Sequence, residues 1–151
     1  MAHPVQIRIS DAIDLGAAGV EGVPVLEDED PLCHDDLLLE AQVLDMKVNF
    51  TEGVMTVLFD LRQAFHFRDS NVAILSCRRC TSLDVLYTPS GSPLHAHSVF
   101  GSRWRGGSGG VLFEMDLYPG PESFIKMGGA SLSFMAGSIK DISPAPPDYG
   151  T

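Results

Sequence analysis

Residues 37 to 61 read LLLEAQVLDMKVNFTEGVMTVLFDL, and the alternation inside this stretch decides the fold class. Leu37, Leu39, Ala41 and Val43 share one parity, and Leu44, Met46, Val48 and Phe50 then take the other. Successive side chains of a strand point to opposite faces, so the switch predicts a bulge near Val43 and Leu44. Thr51-Glu52-Gly53 supplies a turn with a glycine for positive φ, and Met55, Val57, Phe59 and Leu61 resume the alternation. The stretch is a hairpin of two long strands.

The same period recurs outward from it. Val5, Ile7 and Ile9 alternate with polar residues. Val72 to Leu75 is a solid apolar run, expected of a central strand covered on both faces, and Leu83, Val85 and Tyr87 continue it beyond a polar interruption at Arg78 to Ser82. Leu94 to Phe100 forms a further strand, and Val111, Phe113, Met115 and Leu117 alternate with Glu114 and Asp116, a strand with a charged outer face. Phe124 to Met127 and Leu132 to Ile142 read as two strands joined by a hairpin turn at Gly128-Gly129, and Gly101 to Gly110 reads as irregular. Helical periodicity is confined to one conceivable turn at Asp35 to Leu39. The expectation is all-β: one domain over residues 1–151, an antiparallel β-sandwich or open barrel of about eight strands. Within it lie an acidic Gly/Pro-containing loop at 11–36, a β core at 37–143 and a Pro-rich tail at 144–151.

Charge is lopsided. Eleven of the 20 carboxylates fall in the first fifty residues against two cations, Arg8 and Lys47, while the remainder is almost neutral; the total is −10. Phosphate contacts require cationic side chains, so nucleic acid is not expected as a partner. No apolar run approaches the about 20 residues that cross a bilayer, and the start of the chain has neither a basic flank nor an apolar signal core, so a cytoplasmic protein is expected. Three cysteines do not make a disulfide framework. A mean hydropathy of +0.10 is that of a chain that folds by itself.

Two sets of residues carry candidate chemistry. The acidic quartet Glu27, Asp28, Glu29 and Asp30 is suited to steering a basic partner, and Arg103-Trp104-Arg105, an aromatic between two guanidinium groups beside a glycine-rich loop, is suited to gripping one. Cys77-Arg78-Arg79-Cys80, followed by His95 and His97, offers four nitrogen and sulfur donors for zinc, provided a bulge at Arg78-Arg79 brings both thiols to one face. The His-x-His pair resembles that of cupin metal centres, but no carboxylate lies in Ser98 to Ser102 and no histidine follows, so the cupin ligand set is incomplete. No cofactor other than zinc is expected. With no general base beside either thiol in sequence, catalysis is not expected. In size, acidity and strand content the chain resembles small immunity proteins that block basic toxins. The functional expectation is therefore a non-enzymatic protein-binding module; a zinc-binding β protein or metalloenzyme, and a structural homo-oligomer subunit, are the competing readings.

Overall fold

Among the described residues every regular element is a strand and none is a helix. A computed structural model describes residues 22–23, 30–64, 66–67, 70–88, 97–118 and 122–137. The strands are β1 (Gly22–Val23), β2 (Gln42–Asn49), β3 (Val54–Asp60), β4 (Val72–Leu86), β5 (His97–Gly107), β6 (Gly110–Tyr118) and β7 (Phe124–Gly137).

The β2–β3 hairpin forms where the alternation placed it from Gln42 onward, whereas Leu37 to Glu40 lie in turns and the buried side chain there is Leu38, of the other parity. Val43 lies opposite Phe59 and Val48 opposite Met55, and the register shifts between Val43 and Asp45, leaving Leu44 as the extra residue. The connection is fixed by Asn49, whose Oδ1 accepts the N–H groups of Thr51 at 3.1 Å and Glu52 at 3.0 Å. Gly53 then takes φ 67°, a conformation that disfavours a Cβ.

All pairings are antiparallel, in the order β1-β7-β4-β3-β2-β5-β6, and β6 also bonds β7. The six longer strands therefore each have a neighbour on both sides, although β2 and β5 share only Gln42↔Ser98 and Val43↔His97. Among the described residues these pairings leave few of the unpaired strand edges that template aggregation. Inward-facing Val57, Phe59, Leu75, Phe113, Met115 and Met127 fill the interior and are buried completely. The solid run at the start of β4 is covered on both faces as expected: Val72, Ala73, Ile74 and Leu75 are all buried.

Residues 31–40 form turns without a helix, so the turn considered at Asp35 to Leu39 is not helical. This segment is laced to β5: Asp36 N–H donates to Ser102 O at 2.9 Å, Glu40 N–H to Val99 O at 2.8 Å, and Val99 N–H to Ala41 O at 2.8 Å. Leu38, fully buried, anchors it to the core.

Three sequence expectations need correction. Gly128 and Gly129 are not a turn but lie inside the continuous 14-residue β7. The reason is space: a Cβ on Gly129 would sit 2.8 Å from the carbonyl oxygens of Arg78 and Arg79 and from Cys77 Sγ, so glycine serves a close approach. Gly101 to Gly107 is ladder rather than irregular loop, with Gly107 paired to Gly110. Arg78 to Ser82 does not interrupt the chain; β4 runs through it as one 15-residue strand with a shift between Cys80 and Ser82. Among the described residues there are thus seven strands, several of them longer than the spacing suggested. The predicted strand at Val5 to Ile9, most of the acidic loop and the Pro-rich tail lie outside the described residues.

Candidate functional site

The β5–β6 ladder sets Arg103 opposite Glu114, Trp104 opposite Phe113 and Arg105 opposite Leu112. Alternation therefore puts Trp104 on the face of the buried Phe113 and both arginines on the other, so the indole is not clasped between guanidinium groups. Arg103 is committed within the protein. Its Nε lies 3.2 Å from Glu114 Oε2 and its Nη1 3.1 Å from Asp116 Oδ2. The hydrogen bond to Asp116 raises the Arg103 pKa above its already high value, Glu114 adds to the rise, and burial opposes it. Trp104 is 40% exposed and its ring edge lies over Gly106, where a Cβ would come within 2.7 Å of Cη2. Arg105 projects to solvent.

Of the acidic quartet, Glu27, Asp28 and Glu29 lie outside the described residues. Asp30 organises the turn that follows: its Oδ1 accepts Leu32 N–H at 2.9 Å, and its carbonyl accepts the N–H groups of Cys33 and His34. Farther along, Asp36 Oδ1 accepts Ser102 N–H at 2.9 Å and Glu40 accepts the hydroxyl of Tyr118. Burial, then the hydrogen bond to Glu40 and the charge it carries, push the Tyr118 hydroxyl up to about 12. The last part of the acidic segment is thus folded against β5 and β6, with its carboxylates acting as acceptors.

The four residues considered as zinc ligands are not gathered in one place. His95 lies outside the described residues. His97 is buried at the start of β5, its Nε2 2.9 Å from Thr88 O and its ring 5.0 Å from that of Tyr87. It faces Val43, which faces Phe59, which faces Ala73; Cys77 lies four residues farther along β4, about 13 Å of strand. The thiols themselves do share a side. Arg79 adopts φ 50°, Cys80 N–H donates to Gly53 O at 2.8 Å, and Cys80 packs against the core that contains Cys77. Burial, with Cys80 alongside, pushes the Cys77 thiol up to about 11. Among the described residues no group of three His, Cys, Asp or Glu side chains is arranged to hold a metal ion.

A feature that the sequence reading did not single out lies on the second half of β4. The β3–β4 ladder ends at Met55↔Cys77, and beyond Cys80 the ladder partner of β4, among the described residues, is β7 alone. Leu83, Val85, Leu86 and Tyr87 are all exposed there, Tyr87 to 69%, and Phe50 at the β2–β3 tip is 93% exposed. Two clefts flank the row. One, of 240 Å³, is lined by Val48, Phe50, Met55, Cys80 and Leu83; the other, of 270 Å³, by Val43, Met46, Leu86, Tyr87 and His97. The sequence signal was the apolar content at both parities, Leu83 and Val85 with Leu86, which implies cover on two faces that the described residues only partly supply. No described helix is long and apolar enough to cross a membrane. No protein family, no curated protein and no solved structure matches this chain.

Proposed function

We propose that this protein is a non-enzymatic binding module for another protein, docking through the second half of β4 and steered by its acidic N-terminal part. The observation that carries the reading is the row of exposed Leu83, Val85, Leu86 and Tyr87, bordered by apolar clefts. Exposed apolar side chains on a strand end of this kind are where proteins dock, and an aromatic such as Tyr87 is a favoured anchor. The net charge of −10 favours a basic partner, in the manner of an immunity protein facing a toxin. Grip by Arg103-Trp104-Arg105 is secondary in this reading, because Arg103 is held by Glu114 and Asp116. A cytoplasmic site of action and a small six-stranded barrel-like body, closed by the β6–β7 pairing, belong to the same proposal.

The test is photo-crosslinking from position 87 or 83 combined with capture at low and high salt. Wild type is compared with a variant carrying Glu27→Gln, Asp28→Asn, Glu29→Gln and Asp30→Asn. Partner capture that weakens in the variant and in high salt, with crosslinks from position 87, is the expected result. Capture indifferent to salt, to the quartet and to Tyr87→Ala rejects the reading. A second copy of the chain in the crosslink, with a dimer by light scattering, replaces it with self-association.

A further inference from the structure

Three sulfur atoms meet at the bulge of β4, and neither the docking reading nor the zinc reading uses them together. Met55 lies directly opposite Cys77 in the β3–β4 ladder, and both side chains point into the core. Cross-strand neighbours of this kind have Cβ atoms about 5 Å apart. Cys80 Sγ lies 3.0 Å from Met55 Sδ. Cys77 leans the same way: its Sγ sits over Gly129, the ladder partner of Cys80. Two irregularities build the arrangement, the left-handed Arg79 that returns Cys80 to the inner side and the glycine at 129 that leaves room for Cys77 Sγ.

The geometry points to a binding site for a soft monovalent cation, Cu(I), held by Cys77 Sγ, Cys80 Sγ and Met55 Sδ. The donor set decides the metal. Thiolate and thioether ligands select soft ions, and among the described residues no imidazole or carboxylate joins this group to favour Zn(II) or a harder ion. Binding forms two Cu–S(thiolate) bonds and one Cu–S(thioether) bond and releases the two thiol protons to solvent; copper stays in the +1 state and nothing is oxidised. A cation at about 2.3 Å from each sulfur requires the Cys80–Met55 contact to open by about 1 Å, which the flexible methionine side chain accommodates. Entry is provided by the 240 Å³ cleft, on whose wall Met55 and Cys80 both lie. The peptide N–H of Cys80, bonded to Gly53 O, holds that ligand in place.

The experiment is an anaerobic titration of the reduced full-length protein with Cu(I) against a chromogenic Cu(I) chelator, followed by X-ray absorption at the copper edge. The expected result is one equivalent of copper withheld from the chelator, with a shell of three sulfur scatterers. Cys80→Ala abolishes that retention, and Met55→Leu, which preserves volume, weakens it on the order of tenfold, the scale of a weaker member of a ligand sphere. Circular dichroism checks each variant; should Cys80→Ala not fold, Met55→Leu alone decides. The assignment is overturned if wild type withholds no copper, if either folded variant binds as wild type does, if nitrogen or oxygen dominates the shell, or if Zn(II) is withheld as firmly as Cu(I).

Discussion

The two halves of β4 are one continuous strand with opposite environments. Val72 to Leu75 is buried on both faces, whereas every residue from Thr81 to Tyr87 is exposed. Their apolar residues are alike in type, Leu83, Val85 and Leu86 against Val72, Ile74 and Leu75, although Thr81, Ser82 and Asp84 are interleaved in the second half. What differs is the neighbour: β3 flanks the first half, and beyond Cys80 the described ladder is with β7 alone. Burial is therefore set by whether a second strand arrives alongside, and a strand that outruns its partner leaves apolar surface for something else to cover.

Substitution separates the halves most sharply. Leu75→Ala removes a fully buried side chain and costs about 2–5 kcal/mol by denaturant unfolding. Leu83→Ala costs less than about 0.5 kcal/mol, as surface changes do. Equal costs break the comparison, because they mean that the second half is covered in the folded chain. Next comes Asp60, fully buried opposite Val72 and paired with Arg62 Nη2 at 2.8 Å. Arg62→Ala removes the guanidinium, leaves the buried carboxylate the hydrogen bond from the peptide N–H of residue 62, and costs about 3 kcal/mol, measured in the same way. At the junction of the halves, Gly129→Ala drives a Cβ into two carbonyl oxygens and Cys77 Sγ and costs about 1–3 kcal/mol. Gly107→Ala, which meets nothing within 4 Å, serves as the control and stays within about 0.5 kcal/mol.

The smallest effect is alkaline. Cys77, at the end of the buried half, has its thiol raised from 9.0 to about 11, and Tyr118 its hydroxyl from 10.0 to about 12. Both groups hold their proton more tightly when folded. The stability this contributes is complete below pH 9 and is lost as pH rises through the window from 9 to 12, as the unfolded chain ionises first. Unfolding midpoints are expected to be level on the acid side of that window and to decline within it. Tyr118→Phe flattens the upper part of the decline and Cys77→Ala the lower part; a decline unchanged in both variants assigns it to other groups.

Much of the fold was legible because alternation reports directly which side chains share a face. The bulge at Val43 and Leu44, the β2–β3 hairpin, the double burial of Val72 to Leu75 and the charged outer face of β6 were all read from spacing. Glycine misled because its reasons differ from place to place. At Gly53 it supplies positive φ, as read, but at Gly129 it supplies closeness to the carbonyls of Arg78 and Arg79, which becomes visible only once β4 lies alongside. The candidate sites were less legible. Cross-strand register decides that Arg103 meets Glu114, and also reaches Asp116, and that His97 lies three strands across and four residues along from Cys77; local spacing contains neither fact. The bulge that returns Cys80 to the face of Cys77 was a condition stated from the sequence, and the third sulfur, from Met55, comes from a different strand.

By itself, then, the sequence determined the all-β class, the parity of the β2–β3 hairpin and of β6, and the concentration of acid at its N-terminal end, because these follow from residue type and local period. Only the tertiary structure decided where each ladder stops, which apolar residues are left uncovered and which polar groups find one another. Those outcomes depend on register between strands remote in the chain, and register is fixed by packing rather than by any residue's own preference.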